Sequence, residues 1–260
     1  MPPRSVDVTE YSSQFGQDEF LDRTVFRRLA GGFFVDVGAH DGEQFSNSLF
    51  FERVRSWRGL CLEPNPAVYD RLRRTRSAEC LQCCAAAASG TVDFVQIGGA
   101  SDMLSGMAAT YGADHAARRD RAIAADGGTQ TIIAVPAARL DDLLAERGIG
   151  EVHFLSVDTE GGELAVLQGI DFSRTLVHAV AIENNYRSAA LADYLKLRGF
   201  VPLARLTVDD VYLNRRSPFF SWALLCKVRL LRAAGWFELR WRRLGLSIDR
   251  PPRFPFKKPT

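Results

Sequence analysis

Four apolar runs of this 260-residue chain each end in a carboxylate: Phe33-Phe34-Val35-Asp36, Gly59-Leu60-Cys61-Leu62-Glu63, Phe154-Leu155-Ser156-Val157-Asp158 and Val180-Ala181-Ile182-Glu183. Acids at the tips of buried strands can attract cations, accept hydrogen bonds from hydroxyls or take protons. The first of them opens the spacing Asp36-x-Gly38-x-x-x-Gly42. Glycine lets a backbone turn sharply and approach a ligand closely. This spacing is not the Gly-x-Gly-x-x-Gly that sets helix amides against the phosphates of a dinucleotide. A carboxylate beside the loop repels phosphate and attracts a cation, such as the sulfonium and α-amino groups of S-adenosylmethionine. The loop is therefore expected to hold a methyl donor; a tight turn without a ligand is the alternative.

Glu63 stands 25 residues after Gly38, the interval at which an α/β unit returns its next strand to the same edge. There it can accept both ribose hydroxyls of an adenosine, or else be a solvated strand-end acid. Asp158 is followed by Glu160, Gly161 and Gly162, and Glu183 by Asn184 and Asn185. Asp158, Glu160 and Glu183 are expected in one crevice with Asp36 and Glu63, because ligands collect outside the carboxyl ends of such strands. The alternative for Asp158 and Glu160 is stabilisation of the following helix N-terminus. His153 sits five residues before Asp158, roughly 16 Å away at 3.3 Å per residue, and is expected to be structural.

These tips need elements to place them. Glu19 to Leu29 reads as an amphipathic helix that Asp18 can cap, while the polar group Gln14, Gln17 and Asp18 could also fold over a cofactor. Gln44 to Arg53 reads as a helix with Phe45, Leu49 and Phe50 inward, and Ala67 to Arg76 as another, begun by Pro64 and Pro66. Leu81–Ala87 is expected as a third strand, with Thr91–Ile97 and Thr131–Val135 as further strands of the same sheet region. Residues 98–128 are irregular and long enough to be a substrate-covering insertion, helical around 113–125, or a disordered loop. A short helix from Leu140, one over 163–169, one over 191–197 and a closing strand pair at 200–206 and 210–214 complete the alternation. Strands alternating with helices imply one parallel sheet flanked by helices.

The composition, 47% hydrophobic and 25% charged, fits an ordinary globular protein. The net charge of +2 is uneven: from Pro218 onward ten Lys or Arg face two acids, a net +8, leaving −6 for the rest. Ala223, Cys226, Leu230, Ala233, Phe237, Trp241 and Leu244 recur at three or four residues, an apolar stripe on one helical face among arginines. Such a stripe can lie in an anionic membrane surface, pack on the main domain or join a second subunit as a homodimer. Gly235 can divide the run, and the end from Arg250 is Pro-rich and expected to be extended. The expected division is residues 1–216 as the main domain and 217–260 as a basic tail. Basic charge alone could serve nucleic acid, but no reader motif supports it. No secretory signal or bilayer-spanning stretch is recognisable, so a cytoplasmic location, peripheral to the inner membrane surface through the tail, is expected. Cys80, Cys83 and Cys84 lack the second ligand pair that zinc would need and are expected to be small buried thiols, Cys80 and Cys84 on one face of a strand.

Ser13-Gln14-Phe15-Gly16-Gln17-Asp18, Phe34 to Gly42, Cys61-Leu62-Glu63-Pro64-Asn65-Pro66, Phe154 to Gly161 and Ile182-Glu183-Asn184-Asn185 together resemble the FkbM family of S-adenosylmethionine-dependent methyltransferases. The likeness runs from about Tyr11 to Arg216. It implies a Rossmann-like class I methyltransferase sheet of seven strands, the last antiparallel, with helices on both faces. It also implies methyl transfer to a hydroxyl of a sugar, glycan, polyketide or related metabolite. On that resemblance Asp36, Gly38 and Gly42 line the donor, Glu63 takes the ribose, and Gln14 to Asp18 close over it. His40 is expected to pack over the donor's amino-acid part.

An alcohol is a weak nucleophile near neutral pH, so its proton needs an acceptor, or a cation must stabilise the forming alkoxide. Asp158 is the expected base, with Glu160 and Glu183 beside it. Asp158, Glu183 and Asn184 could instead hold Mg²⁺, whose ligands are hard oxygens of this kind. Two other classes stay open: a non-catalytic module that binds the donor, and a nicotinamide-dependent oxidoreductase, which would share Glu63 but lacks the dinucleotide glycines.

Overall fold

The computed structural model describes residues 11–110 and 112–233. Its strands are β1 (Phe33–Val37), β2 (Arg58–Leu62), β3 (Glu79–Leu81), β4 (Cys84–Ala85), β5 (Gly90–Gly98), β6 (Gly106–Met107), β7 (Thr129–Ala138), β8 (Glu151–Val157), β9 (Leu176–Glu183), β10 (Phe200–Leu206) and β11 (Asp209–Asn214). The helices are α1 (Gln17–Phe20), α2 (Leu49–Arg55), α3 (Pro66–Thr75), α4 (Ala113–Asp126), α5 (Leu140–Glu146), α6 (Glu163–Gln168), α7 (Ala189–Leu197) and α8 (Trp222–Ala233).

Seven strands form one mixed sheet in the order β10-β11-β9-β8-β1-β2-β3. All are parallel except β11, which runs antiparallel to both β9 and β10, as the resemblance implied. Side chains alternate across each strand. Phe34, Cys61, Phe154 and Ala179 point to one face, under Phe50, Phe51 and Leu72 of α2 and α3. Val35, Leu60, Leu155 and Val180 point to the other, under Leu144, Leu167 and Leu195 of α5, α6 and α7. Strand order reverses between β1 and β8, the place where open α/β sheets form a crevice. Val37 pairs with Leu62 on one side and Val157 on the other, and Val157 with Ile182. The ends of β1, β2, β8 and β9 therefore emerge side by side.

Several expectations are corrected. The expected strand 81–87 is divided: β3 belongs to the main sheet, whereas β4 pairs with β7. The segments around Thr91–Ile97 and Thr131–Val135 are strands, but of a separate four-stranded sheet, β4-β7-β5-β6, where β5 and β7 pair antiparallel from Gly90↔Ala137 to Gly98↔Thr129. Phe94, Met107 and Val135 give that sheet a small core of its own. The break also undoes the single-strand reading of the cysteines; Cys83 and Cys84 are buried nonetheless, and Cys80 is partly so.

The helix expected from Gln44 begins only at Leu49, and Phe45, with φ 60°, is 39% exposed rather than inward. Polar side chains take the amides that a helix would need: Asp41 accepts from the backbone N–H of Glu43 and Gln44, and Ser46 Oγ from those of Ser48 and Leu49. The long N-terminal helix is likewise short, α1 followed by one π-helical turn at Leu21–Val25. Gly16, not Asp18, precedes its first residue.

The first part of the tail is docked. Leu224, Leu225 and Val228 of α8 sit in the same core as Phe154 and Phe51, each burial of that size contributing roughly 1.5–3 kcal/mol. The expected stripe residues Ala223, Cys226 and Leu230 are instead on the exposed side. Phe237, Trp241 and Leu244, the Gly235 break and the Pro-rich end lie outside the described residues. Among the described residues no helix is long and apolar enough to cross a membrane.

Candidate functional site

A cavity of about 310 Å³ opens at the strand tips, within the size range of small-molecule sites. Asp36, Gly38, His40 and Glu63 line one part of it; Asp158, Glu160 and Glu183 line another. Asp36 is buried. It accepts a short hydrogen bond from Ser48 Oγ and lies 4.0 Å from Arg76 Nη1. Burial pushes its carboxyl above the usual range against the pull of Arg76 and Ser48.

The two loop glycines answer to protein neighbours. Gly38 has φ +80°, and a Cβ there would stand 1.7 Å from the Asp158 carbonyl oxygen. Gly42 has φ +77°, and its Cβ would stand 2.6 Å from side-chain atoms of Arg76 and Leu72. Gly38 lines the cavity and Gly42 lies outside its wall. The spacing that suggested a ligand loop is thus also what the crossing with β8 and the seat on α3 require.

Glu63 Oε1 accepts from the Asn65 amide at 2.8 Å and Oε2 from the His40 amide at 3.1 Å. Each oxygen keeps further acceptor capacity toward the cavity. Burial raises its pKa to about 7, the two amides and the His40 charge only tempering the rise. His40 Nε2 lies 2.9 Å from Asp102 Oδ1, and its Nδ1 3.6 Å from Asp41. Burial alone would lower the imidazole's pKa, but these carboxylates outweigh it and hold it raised to about 9. His40 is therefore an imidazolium near neutral pH and not a base.

The N-terminal trio divides. Gln14 lines the cavity, whereas Gln17 and Asp18 do not. Gln17 donates a short hydrogen bond to Asp209 and accepts from the Phe15 amide. Asp18 accepts from the amides of Ser12, Ser13 and Glu19. These two shape the segment that brings Gln14 and Phe15 to the cavity.

At the tips of β8 and β9 three carboxylates crowd together: Asp158, Glu160 and Glu183 each offer an oxygen within 4.8 Å of the others. Arg118 of α4 reaches into them, its Nη1 2.7 Å from Glu160 Oε2 and 4.0 Å from Glu183 Oε1. His115 Nδ1 is 3.4 Å from Glu160. Asp158 has surface exposed to the cavity yet is enclosed by protein. Burial and the charges of Glu160, Asp209 and Glu163 raise its pKa well above the usual value, and burial with Asp158 and Glu160 does the same to Glu183. Such a pair titrates as a unit. Asn184 turns away, donating to Asp210 at 2.7 Å and accepting from the Ser188 amide at 2.7 Å. Its neighbour Asn185 lines the cavity and donates to Glu183 at 2.6 Å. The expected cation trio of Asp158, Glu183 and Asn184 is thus replaced in space by Asp158, Glu160 and Glu183.

Arg118, Asp102 and Asn47 carry no local signal in the sequence, and Asn185 is marked there only as part of the polar tip after Glu183. Arg118 and Asp102 belong to the 98–128 insertion and touch the site only through long-range packing. Asn47 donates to Ser156 Oγ at 3.0 Å, while its Oδ1 is the one buried side-chain polar atom without a hydrogen-bond partner among the described residues. It lines the cavity beside Asp36, and no local pattern marks it. His153 lies at the other end of β8, accepting from the Phe33 amide at 3.3 Å, next to His178, which bonds Glu151 and Ser217.

Residues 36–202 match the model of the methyltransferase FkbM domain. No curated protein matches the chain. Among solved structures it is similar to the crystal structure of methyltransferase FkbM from Methylobacillus flagellatus KT, at 16% identity and a TM-score of 0.43. That likeness covers 70% of this chain and 43% of the other, so this chain spans less than half of that protein's length.

Proposed function

The chain belongs to the FkbM methyltransferase family, and on that premise we propose that it transfers a methyl group from S-adenosylmethionine to a hydroxyl oxygen of a sugar, glycan or secondary metabolite. The observation that carries this reading is one cavity joining the donor-side residues Asp36, His40 and Glu63 to the carboxylates Asp158 and Glu183. The donor, when bound, supplies an electrophilic methyl on a positively charged sulfur.

The residues present fit such a donor. Glu63 has acceptor capacity left for two ribose hydroxyls. Gln14 and Phe15 close one wall. Across the cavity Asp158 takes the acceptor's proton. Burial and neighbouring acids hold its carboxyl above the usual carboxylate range, which makes it a stronger base than a free aspartate, and Glu183 beside it is raised in the same way. Arg118 balances the remaining negative charge.

Arg118 also favours an acid cluster neutralised by a guanidinium over one built for Mg²⁺, since it supplies the positive charge the trio needs. On this reading a chelator leaves turnover unchanged. Calorimetric titration with S-adenosylhomocysteine and with NAD separates methyl transfer from nicotinamide chemistry: tight binding of the first and none of the second is expected, and the reverse would sink the proposal. Radiolabelled methyl transfer to a panel of hydroxylated acceptors then separates an enzyme from a non-catalytic donor-binding module.

A further inference from the structure

We propose that α8 is a docking surface for an anionic lipid bilayer, independent of the methyl-transfer site. The helix is held to the protein by Leu224, Leu225 and Val228, which sit in the main core. Its opposite side faces outward: Trp222 is 62% exposed and Leu230 70%, with Ala223 and Cys226 exposed between them. At 100° per residue these four apolar positions fall within an arc of about 100°. Lys227 stands about 40° beyond one edge and Arg229 about 20° beyond the other, both exposed. Arg215 adds a third cation, its guanidinium 5.8 Å from the centre of the Trp222 ring.

An apolar stripe bordered by cations on both sides, with a Trp at one end, matches the physics of a helix lying in a membrane interface. The apolar groups enter the acyl boundary, the Trp sits at headgroup depth, and Lys and Arg stems extend to the phosphates. The sign of the charge selects the occupant. Between Asp210 and Glu238 the sequence has five cations, Arg215, Arg216, Lys227, Arg229 and Arg232, and no carboxylate. Residues 234–260 add seven more against two acids. The chain's own tail and the same face of a second copy therefore carry like charge and are repelled. An anionic lipid surface is attracted. Because α8 is fixed to the sheet by its other face, it presents the stripe without having to fold on contact.

The test is sedimentation of the full chain with vesicles of phosphatidylcholine alone or mixed with phosphatidylglycerol. Binding to the mixed vesicles only, weakened by salt, is expected. The paired charge reversal Lys227→Glu with Arg229→Glu should weaken it at least tenfold, and Leu230→Asp should weaken it as well. All three positions are exposed, so the thermal midpoint and S-adenosylhomocysteine affinity should not move. Undiminished vesicle binding by the charge-reversed variant would assign binding to residues beyond α8 and overturn the proposal. Equal binding to neutral vesicles, or no binding by the unaltered chain, would overturn it too. A wild-type dimer by light scattering that Leu230→Asp converts to monomer, with no vesicle binding, would give the face to a second copy instead.

Discussion

The two halves of the cavity hold their acids in opposite ways. On the donor side each carboxylate is matched: Asp36 by Ser48 and Arg76, Glu63 by the amides of His40 and Asn65. On the acceptor side three carboxylates share one guanidinium from a different part of the chain. Matched acids are fixed in place by their hydrogen bonds, which suits holding a ligand in one pose. Crowded acids have raised proton affinity where they meet, as for Asp158 and Glu183, which suits proton transfer. On the proposed function, binding falls to the β1–β2 tips and proton transfer to the β8–β9 tips.

The largest effect is expected at Asp158. Asp158→Asn should lower turnover by about 10²–10⁴-fold, the usual contribution of a general base, with S-adenosylhomocysteine affinity nearly unchanged in calorimetry. Equal losses in both would merge the halves. Glu63→Ala should do the converse, weakening donor binding by about ten- to a hundredfold, as for a lost hydrogen bond to a charged group. Saturating donor should restore most of its turnover.

Arg118→Gln removes the cation that holds the Asp158–Glu183 pair down. Turnover falls as pH drops through the titration of that pair, so the acid limb of the pH–rate profile should move to higher pH by about one unit. A limb that stays in place would show that the profile belongs to another group.

The smallest effect is expected on the donor side. His40 is raised to about 9 chiefly against its own burial by Asp102 and Asp41. Stability from this pairing is present in full below the unfolded pKa near 6.5 and is lost as pH rises through about 9. Asp102→Asn should flatten that decline in thermal melts, by about 1 kcal/mol at neutral pH for a half-screened pair. It should barely alter turnover at saturating donor.

Much of this was legible in the residues. Each tip acid follows an apolar, β-branched or aromatic run that can only be a buried strand, and α/β alternation then puts all the tips at one edge. Strand-end positions are thus a local property. The direction of a side chain at that edge is not, since adjacent residues can face the cavity or the protein: Asn185 enters while Asn184 turns to Asp210 and Ser188. Gln17 reaches Asp209, 192 residues along the chain.

Local pattern carries the parallel core and the acids at its tips, and resemblance the reversed closing strand, because strand periodicity and turn chemistry act over a few residues. Tertiary packing takes 90–98 and 129–138 out of the main sheet into their own, since either sheet would satisfy the same backbone pattern. It placed Arg118 among the acids, a contact whose partners lie 42 residues apart. It also chose which face of α8 is buried: two apolar faces were available, and packing against the sheet could take only Leu224, Leu225 and Val228.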